Sequence, residues 1–353
     1  MMEASLKLQA ESESVPARVS SRWSLLVGSA AAVGIWAAPS RPVFLASWVA
    51  LFTWACVRAA TSGGQGRALR LPVLAPLAGL VTAGLAAWNG PTQPLAALGM
   101  AIAGGVLPFH LWLEELRRRL SHREYLLLLL CQPGVIWLHR FVQANPTALR
   151  GSLGTVLLLF FVASAILQSG LGLVRQDPAR AISAITLSQS CLLLAGCFTG
   201  HIGWEAARAL LIAMVAGTLV LLSVIGLLRD TYGVEKLAPD NGLADVAPDL
   251  HRLFIAMGWL FVGLPGGLAF FAEDLLFHAL LEHSTVATAG FLLTTALNAI
   301  VFYRVYAGLF CGPSRRGQQA APAASRSRRW YVAILTAVTV LVVIGGLAPA
   351  LFL

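Results

Sequence analysis

The chain has 353 residues, of which 58% are hydrophobic and 12% are charged, and its mean hydropathy is +0.76. Soluble domains carry about 25% charged residues, so this composition excludes a soluble globular protein and indicates a polytopic membrane protein. The net charge of +9 comes from basic residues concentrated between apolar runs. That distribution is typical of membrane topology and does not favour a nucleic-acid partner.

Apolar runs long enough to cross a bilayer recur along almost the whole chain. After a cytoplasmic tail at residues 1–23, we predict two five-helix units at 24–145 and 152–311, a basic cytoplasmic loop at 312–330 and a C-terminal helix at 331–353. The predicted membrane helices cover residues 24–39, 43–60, 73–88, 95–113, 124–144, 152–174, 180–199, 206–228, 250–283, 286–311 and 331–352. The expected fold class is therefore an all-α polytopic membrane protein with about 11 transmembrane helices.

The basic residues set the expected orientation. Most of the 25 lysines and arginines lie on one side if the N-terminus is cytoplasmic, as the positive-inside rule requires. This orientation puts the C-terminus outside and is typical of a bacterial-type inner (plasma) membrane. It also requires residues 250–283 to cross once, because two crossings would move the basic loop at 312–330 to the outside.

The fourth predicted helix is interrupted by small residues and a proline, and a histidine follows: Gly104, Gly105, Pro108 and His110. Proline removes a backbone donor and glycine weakens the helix. In hydrocarbon such a break is tolerated only where protein or a water-filled cavity satisfies the freed groups. His110 is equally consistent with a helix-end hydrogen-bonding group and a proton-uptake residue.

The ninth predicted helix has a second break, and acidic residues follow it: Pro265, Gly266, Gly267, then Glu273, Asp274 and His278. An acid within a membrane segment indicates a functional site, so Glu273 is the main candidate for a protonatable group. Asp274 and His278 are its candidate neighbours, and His278 lies about 1.4 turns further along the helix. The alternative is that Glu273 ends a helix and reaches the headgroups.

The two broken helices lie five helices apart. Because five is odd, successive five-helix units face opposite ways through the membrane, and paired broken helices in such inverted repeats indicate a transporter-like core. We therefore expect two inverted five-helix repeats, each with one broken helix.

Five short motifs resemble the antiporter-like membrane subunits of respiratory complex I, membrane-bound hydrogenases, Mrp cation/proton antiporters and two-component inorganic-carbon uptake systems. The stretch PFHLWL at 108–113 is similar to that family's PFHxWLP signature. The others follow in the family's order: QDPAR with LSQ at 176–189, GLPG with Phe270, Phe271 and Glu273, Thr295-Ala296 with FYR at 302–304, and FCGP at 310–313.

The resemblance implies two five-helix repeats that hold a line of buried ionisable residues, several of them lysines, whose protonation moves protons. This sequence lacks most of the ionisable residues of that line. Its only lysines are Lys7 and Lys236, and the positions aligned with the family's channel residues are Ala103, Gln132, Ala213 and Gly217. Of the central line only Glu273 remains, and Gln132 can orient water but cannot hold a proton charge.

Two functions stay open. The first is a proton- or cation-translocating antiporter-like subunit of a larger complex, with conduction reduced by the missing lysines. The second is a degenerate structural subunit, for example the partner of a soluble zinc protein in inorganic-carbon uptake. The sequence has no zinc, haem or phosphate-binding pattern, so we expect no metal, no cofactor and no enzymatic activity of the chain alone. The expected partners are the lipid bilayer and other membrane subunits or a soluble cytoplasmic protein.

Overall fold

The computed structural model describes residues 24–62, 101, 105–107, 110–131, 136, 152–313 and 326–351. Within them every regular element is helical, which confirms the all-α prediction. The helices are α1 (Ser24–Ala37), α2 (Arg41–Ser62), α3 (Leu111–Arg119), α4 (His122–Cys131), α5 (Ser152–Val174), α6 (Pro178–Gly196), α7 (His201–Tyr232), α8 (Pro248–Phe261), α9 (Leu268–His283), α10 (Thr285–Phe310) and α11 (Arg326–Leu347), followed by a 3-10 turn at Pro349–Leu351.

Within this described part of the chain, six helices are long and apolar enough to cross a membrane, namely α2, α5, α6, α7, α10 and α11. The protein is thus a multi-pass membrane protein. The predicted helix at 73–88 and much of those at 95–113 and 124–144 lie outside the described residues.

Helix α6 is surrounded by other helices. Its N-cap is Asp177, whose side chain accepts hydrogen bonds from the backbone N–H groups of Ala179 and Arg180, and Pro178 occupies the first turn. A proline there loses no helical hydrogen bond, and the N-cap satisfies two free donors. Every α6 residue except Arg180 is buried, because α5, α7 and α10 all pack against this helix.

Helix α11 lies at the edge of the bundle, against α7, α8 and α9. Near its start, the Tyr331 hydroxyl donates to Ser223 Oγ of α7 at 2.8 Å. Near its end, Gly346 packs directly on the backbone of Gly266 and Gly267, where a β-carbon would overlap main-chain atoms. The C-terminal helix therefore covers the second break.

Helix α3 differs from the sequence-based expectation. It continues to Arg119, beyond the predicted end of the membrane helix at residue 113, so Arg117 and Arg119 lie on a helix. The following helix, α4, is tied to α2 by an ion pair between Arg58 Nε and Glu124 Oε1 at 2.6 Å.

Side-chain contacts join the predicted first and second units, among them an ion pair between Arg117 Nη2 of α3 and Asp177 Oδ2 at 3.5 Å. His122 Nε2 of α4 is hydrogen-bonded to the Leu222 carbonyl of α7. Gln168 Nε2 of α5 donates to the Gly105 carbonyl at 3.2 Å.

Candidate functional site

The break between α8 and α9 is a tight non-helical turn. Helix α8 ends at Phe261 and α9 begins at Leu268, and Gly263 and Gly266 between them have φ angles of 87° and 96°. Other residues rarely adopt these values. Leu264 N–H donates to Trp259 O at 2.9 Å and Gly267 N–H to Leu264 O at 3.2 Å, so much of the interrupted backbone is satisfied locally.

The carboxylate of Glu273 lies against Gly263. A β-carbon at Gly263 would overlap Oε2 of Glu273, so the missing side chain provides the space that the carboxylate occupies. Glu273 is partly buried and forms no hydrogen bond or ion pair within the described residues. An acid in a membrane segment without a fixed partner can take up and release a proton without first breaking an ion pair.

The side chain of Gln189 in α6 forms a hydrogen bond with the backbone at this break. Its Nε2 donates to Phe261 O, the last carbonyl of α8, at 2.8 Å. Its Oε1 is buried and has no hydrogen-bond partner in the described part of the chain. The amide therefore holds the turn from the bundle interior and keeps one acceptor available for water.

A closed triangle of polar side chains lies at the crossing of α5, α6 and α10. Ser169 Oγ donates to Asn298 Oδ1 at 2.7 Å, Asn298 Nδ2 donates to Ser188 Oγ at 3.2 Å, and the two serine oxygens are 2.8 Å apart. All three residues are buried. Hydroxyl and amide groups of this kind both pack helices together and accept or pass on hydrogen-bonded water.

The other polar residues of α6 are also partnered. Thr186 and Thr218 place their hydroxyls 2.9 Å apart between α6 and α7. Ser183 donates to the Ala179 carbonyl at 2.7 Å and Ser190 to the Thr186 carbonyl at 2.9 Å. Helix α6 thus carries buried polar side chains from Ser183 to Ser190, on faces that meet α5, α7, α8 and α10.

The first break is described only in part. Gly105 has a φ of 66°, and its carbonyl accepts the Gln168 bond to α5. His110 is the N-cap residue of α3, and its side chain makes no capping hydrogen bond. Gly104, Pro108 and Gln132 lie outside the described residues.

Asp274 and His278 face away from the bundle. Their side chains are 56% and 60% exposed, and His278 Nδ1 is 3.8 Å from Asp274 Oδ1. The structure therefore pairs these two residues with each other on the outer face of α9 and does not bring them to the carboxylate of Glu273.

A phenylalanine ring fills the position where the family resemblance implies a lysine in α7. A β-carbon at Gly217 would overlap the ring of Phe261, and Ala213, one turn before it, is 1% exposed. No space for a long charged side chain exists at this point of the bundle.

Three parts of the site were missed by the sequence analysis: Asn298, Gln168 and the contact of Gly346 with the second break. A lone asparagine or glutamine in an otherwise apolar helix is a usable signal for Asn298 and Gln168. Nothing local marks Gly346, because its partner lies about eighty residues earlier in the sequence.

A broken helix beside buried polar side chains is a feature of transporter-like helical membrane proteins. The sequence profile described as NADH:quinone oxidoreductase/Mrp antiporter, transmembrane, matches residues 85–298, more than half of this chain. The protein belongs to this family, and the predicted resemblance is confirmed.

Among curated relatives, NADH-quinone oxidoreductase subunit N of Halorhodospira halophila (strain DSM 244 / SL1) is 25% identical over 266 residues, covering 73% of this chain and 53% of the relative. The chain thus spans about half the length of that relative.

Solved structures share the fold at low identity. A chain of respiratory complex I from Thermus thermophilus with bound NADH has a TM-score of 0.75 at 22% identity, covering 88% of this chain and 72% of that one. A chain of the Mrp complex from Dietzia sp. DQ12-45-1b gives 0.74 at 17% identity, with 93% and 75% covered. A chain of the membrane-bound sulfane sulfur reductase, an archaeal respiratory membrane complex, gives 0.78 at 16% identity, with 92% and 59% covered.

Proposed function

We propose that this chain is a proton-translocating, antiporter-like membrane subunit of a larger complex, and that Glu273 is its protonatable group. The observation that carries the proposal is the Glu273 carboxylate set against Gly263 at the helix break. An acid held in a membrane segment beside irregular backbone is the arrangement expected of a proton or ion pathway.

We propose that polar side chains on and beside α6 form a route toward that acid. Ser183, the triangle of Ser169, Ser188 and Asn298, and then Gln189 follow one another along the length of α6 toward the break. Hydroxyl and amide groups orient water, and the water carries the proton between them. Because no lysine lies along this route, Glu273 alone would hold the charge, and we expect conduction slower than in relatives with a full line of ionisable residues.

The exposed pair on α9 supports a membrane partner. Asp274 and His278 lie within the predicted crossing at 250–283, and polar groups facing lipid there are costly. A second membrane subunit would cover them, in keeping with the multisubunit complexes named for the structural relatives. We further propose the orientation expected from the sequence, with a cytoplasmic N-terminus, an external C-terminus and insertion in a bacterial-type inner membrane.

A structural role is the second candidate. It is favoured by the packing of Phe261 on Gly217, since the phenyl ring fills a position where the family places a channel lysine. In this alternative the chain keeps the helix packing of the family without moving protons, for example as the membrane partner of a soluble zinc protein in inorganic-carbon uptake.

The test is proton flux into liposomes that contain the purified complex, under an imposed pH gradient and membrane potential. Glu273→Gln keeps the size of the side chain but cannot hold a proton charge, so we expect flux to fall about tenfold or more. Glu282→Gln, an exposed position of the same helix, is the matched control and should retain wild-type flux.

Two results would support the structural role instead. One is equal flux from wild type and Glu273→Gln, and the other is no flux above empty liposomes from an intact wild-type complex. The assembly of each variant is checked by its elution volume, so that a lost complex is not mistaken for a lost pathway.

A further inference from the structure

A cavity of about 420 Å³ lies at the arginine-rich end of the bundle. It is bounded by α3 and α4 on one side, by the turn between α5 and α6 on another, and by the C-terminal end of α7 on the third. This volume is within the range of about 300–1,000 Å³ that small-ligand sites occupy. The cavity lies apart from the break that holds Glu273.

The cavity wall has an excess of positive charge. Its basic side chains are Arg117, Arg175, Arg180, Arg229 and Lys236, and its acidic side chains are Asp177 and Glu235. Five cations face two carboxylates, so an anion in this cavity meets an uncompensated positive field.

The two carboxylates are already engaged. Asp177 Oδ1 caps α6, while its Oδ2 is shared between Arg117 Nη2 at 3.5 Å and Arg180 Nε at 3.6 Å. Glu235 Oε1 lies 3.5 Å from Arg229 Nη2, and its side chain is 69% exposed. Each of the two acids is thus already shared with at least one arginine.

Buried polar atoms around the cavity lack partners. In the described part of the chain, Arg117 Nε and His122 Nδ1 are buried without a hydrogen bond, and Arg117 is only 7% exposed. Arg180 Nε is also buried without a hydrogen bond, and its contact with Asp177 Oδ2 is a long ion pair at 3.6 Å. Buried donors of charged groups are costly to leave unsatisfied. These atoms therefore indicate a ligand that fills the cavity.

The unpartnered atoms specify the chemistry of this ligand. The arginine N–H groups are donors whose planar geometry suits phosphate oxygens. His122 Nε2 must donate to the Leu222 carbonyl, which can only accept, so Nδ1 of the neutral ring is an acceptor. The ligand that satisfies all three is an oxyanion that also carries a hydroxyl group.

We propose that this cavity binds a phosphate group, supplied by a hydroxyl-bearing anionic lipid headgroup or by free inorganic phosphate. Arg117 and Arg180 donate to the phosphate oxygens, and Arg229 and Lys236 add long-range attraction from the α7 side. His122 Nδ1 accepts from the glycerol hydroxyl of the headgroup or from the P–OH of the free ion.

The test uses the full chain purified in an uncharged detergent and titrated with sodium phosphate against sodium chloride of equal ionic strength, with binding followed by calorimetry. We expect saturable phosphate binding by the wild type and about tenfold weaker binding by Arg117→Gln. Because Arg117 also lies over the Tyr125 ring, Arg229→Gln, whose side chain is 43% exposed, is the second variant. Arg252→Gln, at an exposed position outside the cavity wall, is the control.

A second arm separates the two sources of phosphate. Native mass spectrometry compares retention of phosphatidylglycerol and phosphatidylcholine by the wild type and both cavity variants. Selective retention of phosphatidylglycerol that both variants lose identifies a headgroup site, and phosphate binding without lipid selectivity identifies the free ion. The proposal is overturned if neither ligand binds saturably, or if the cavity variants bind as tightly as the wild type and Arg252→Gln.

Discussion

The carboxylate of Glu273 occupies the space that a β-carbon at Gly263 would need. The position of the acid therefore depends on a residue that has no side chain. A larger residue at this point would both strain the backbone, because φ is 87°, and displace the carboxylate.

We predict that Gly263→Ala reduces proton flux more than Gly266→Ala. Both glycines have positive φ angles, so both changes introduce backbone strain of about 1–2 kcal/mol. A β-carbon at Gly266 meets no atom within 4 Å, whereas one at Gly263 overlaps Glu273. The liposome assay measures both variants, and equal loss in the two would mean that strain alone, without movement of the carboxylate, accounts for the effect.

At the scale of single residues, the sequence predicted the second helix break, which the structure contains between α8 and α9. Proline, paired glycines and an acid are rarely found together in an apolar run, so their coincidence is enough to mark residues 264–273 as a candidate site. The exposure of Asp274 and His278 was not foreseeable, because which face of α9 meets the bundle depends on how α7 packs on it.

Helix α11 contacts the second break directly. Its Gly346 lies on the backbone of Gly266 and Gly267. Backbone atoms cannot relieve a steric overlap by changing rotamer, as a side chain can. The close approach of these two segments therefore depends on the absence of a side chain at Gly346.

We predict that Gly346→Ala moves α11 away from the break and lowers stability by about 1–3 kcal/mol, the usual cost of overpacking. The thermal unfolding temperature of the purified protein measures this effect. Gly170→Ala on α5 adds the same methyl group where no atom lies within 4 Å, and it should leave the unfolding temperature unchanged or slightly raised. An unchanged temperature for Gly346→Ala would mean that the α11 contact is not tight.

Helix boundaries followed from hydropathy to within a few residues for α5, α6 and α10, since the apolar runs end where polar caps begin. For α3 the prediction of the end was wrong, because Glu115 and Arg119 form an i,i+4 ion pair at 3.0 Å that extends the helix through residues of low hydropathy. Glutamate and arginine have low hydropathy, as loop residues do, but they also have high helix propensity.

At the scale of the whole molecule, the two predicted units meet at polar contacts. His122 of α4 reaches the Leu222 carbonyl of α7, and Gln168 of α5 reaches the Gly105 carbonyl. Such contacts between distant parts of the chain leave no local signal in the sequence, so the way the units join could not be predicted. The prediction of two units itself rests only on the spacing of the two breaks in the sequence.

We predict that acid weakens this junction. Burial lowers the pKa of His122 below its ordinary value of 6.5, and the charges of Arg117 and Arg229 lower that pKa further while the Leu222 hydrogen bond opposes the shift. A folded-state pKa below the unfolded value means that the stabilising contribution is complete above pH 6.5 and is lost as the pH falls through the folded-state pKa.

The measurement is the unfolding temperature of wild type and His122→Gln between pH 7.5 and 5.5. Glutamine can still donate to the Leu222 carbonyl but does not titrate, so we expect the wild type to lose about 2 °C more than the variant on acidification. Parallel curves for the two proteins would contradict this prediction, because they would mean that the pKa of His122 is the same in the folded and unfolded states.

Helix α7 is longer than the hydrocarbon layer of a membrane is thick. With 32 residues and a rise of about 1.5 Å per residue, it is about 48 Å long, and a tilt of about 20° leaves roughly 45 Å along the membrane normal. The hydrocarbon layer is about 30 Å thick, so several turns of this helix must stand among the lipid headgroups or in water. The last turn carries Arg229, so the arginine end of α7 lies at the level of the lipid headgroups.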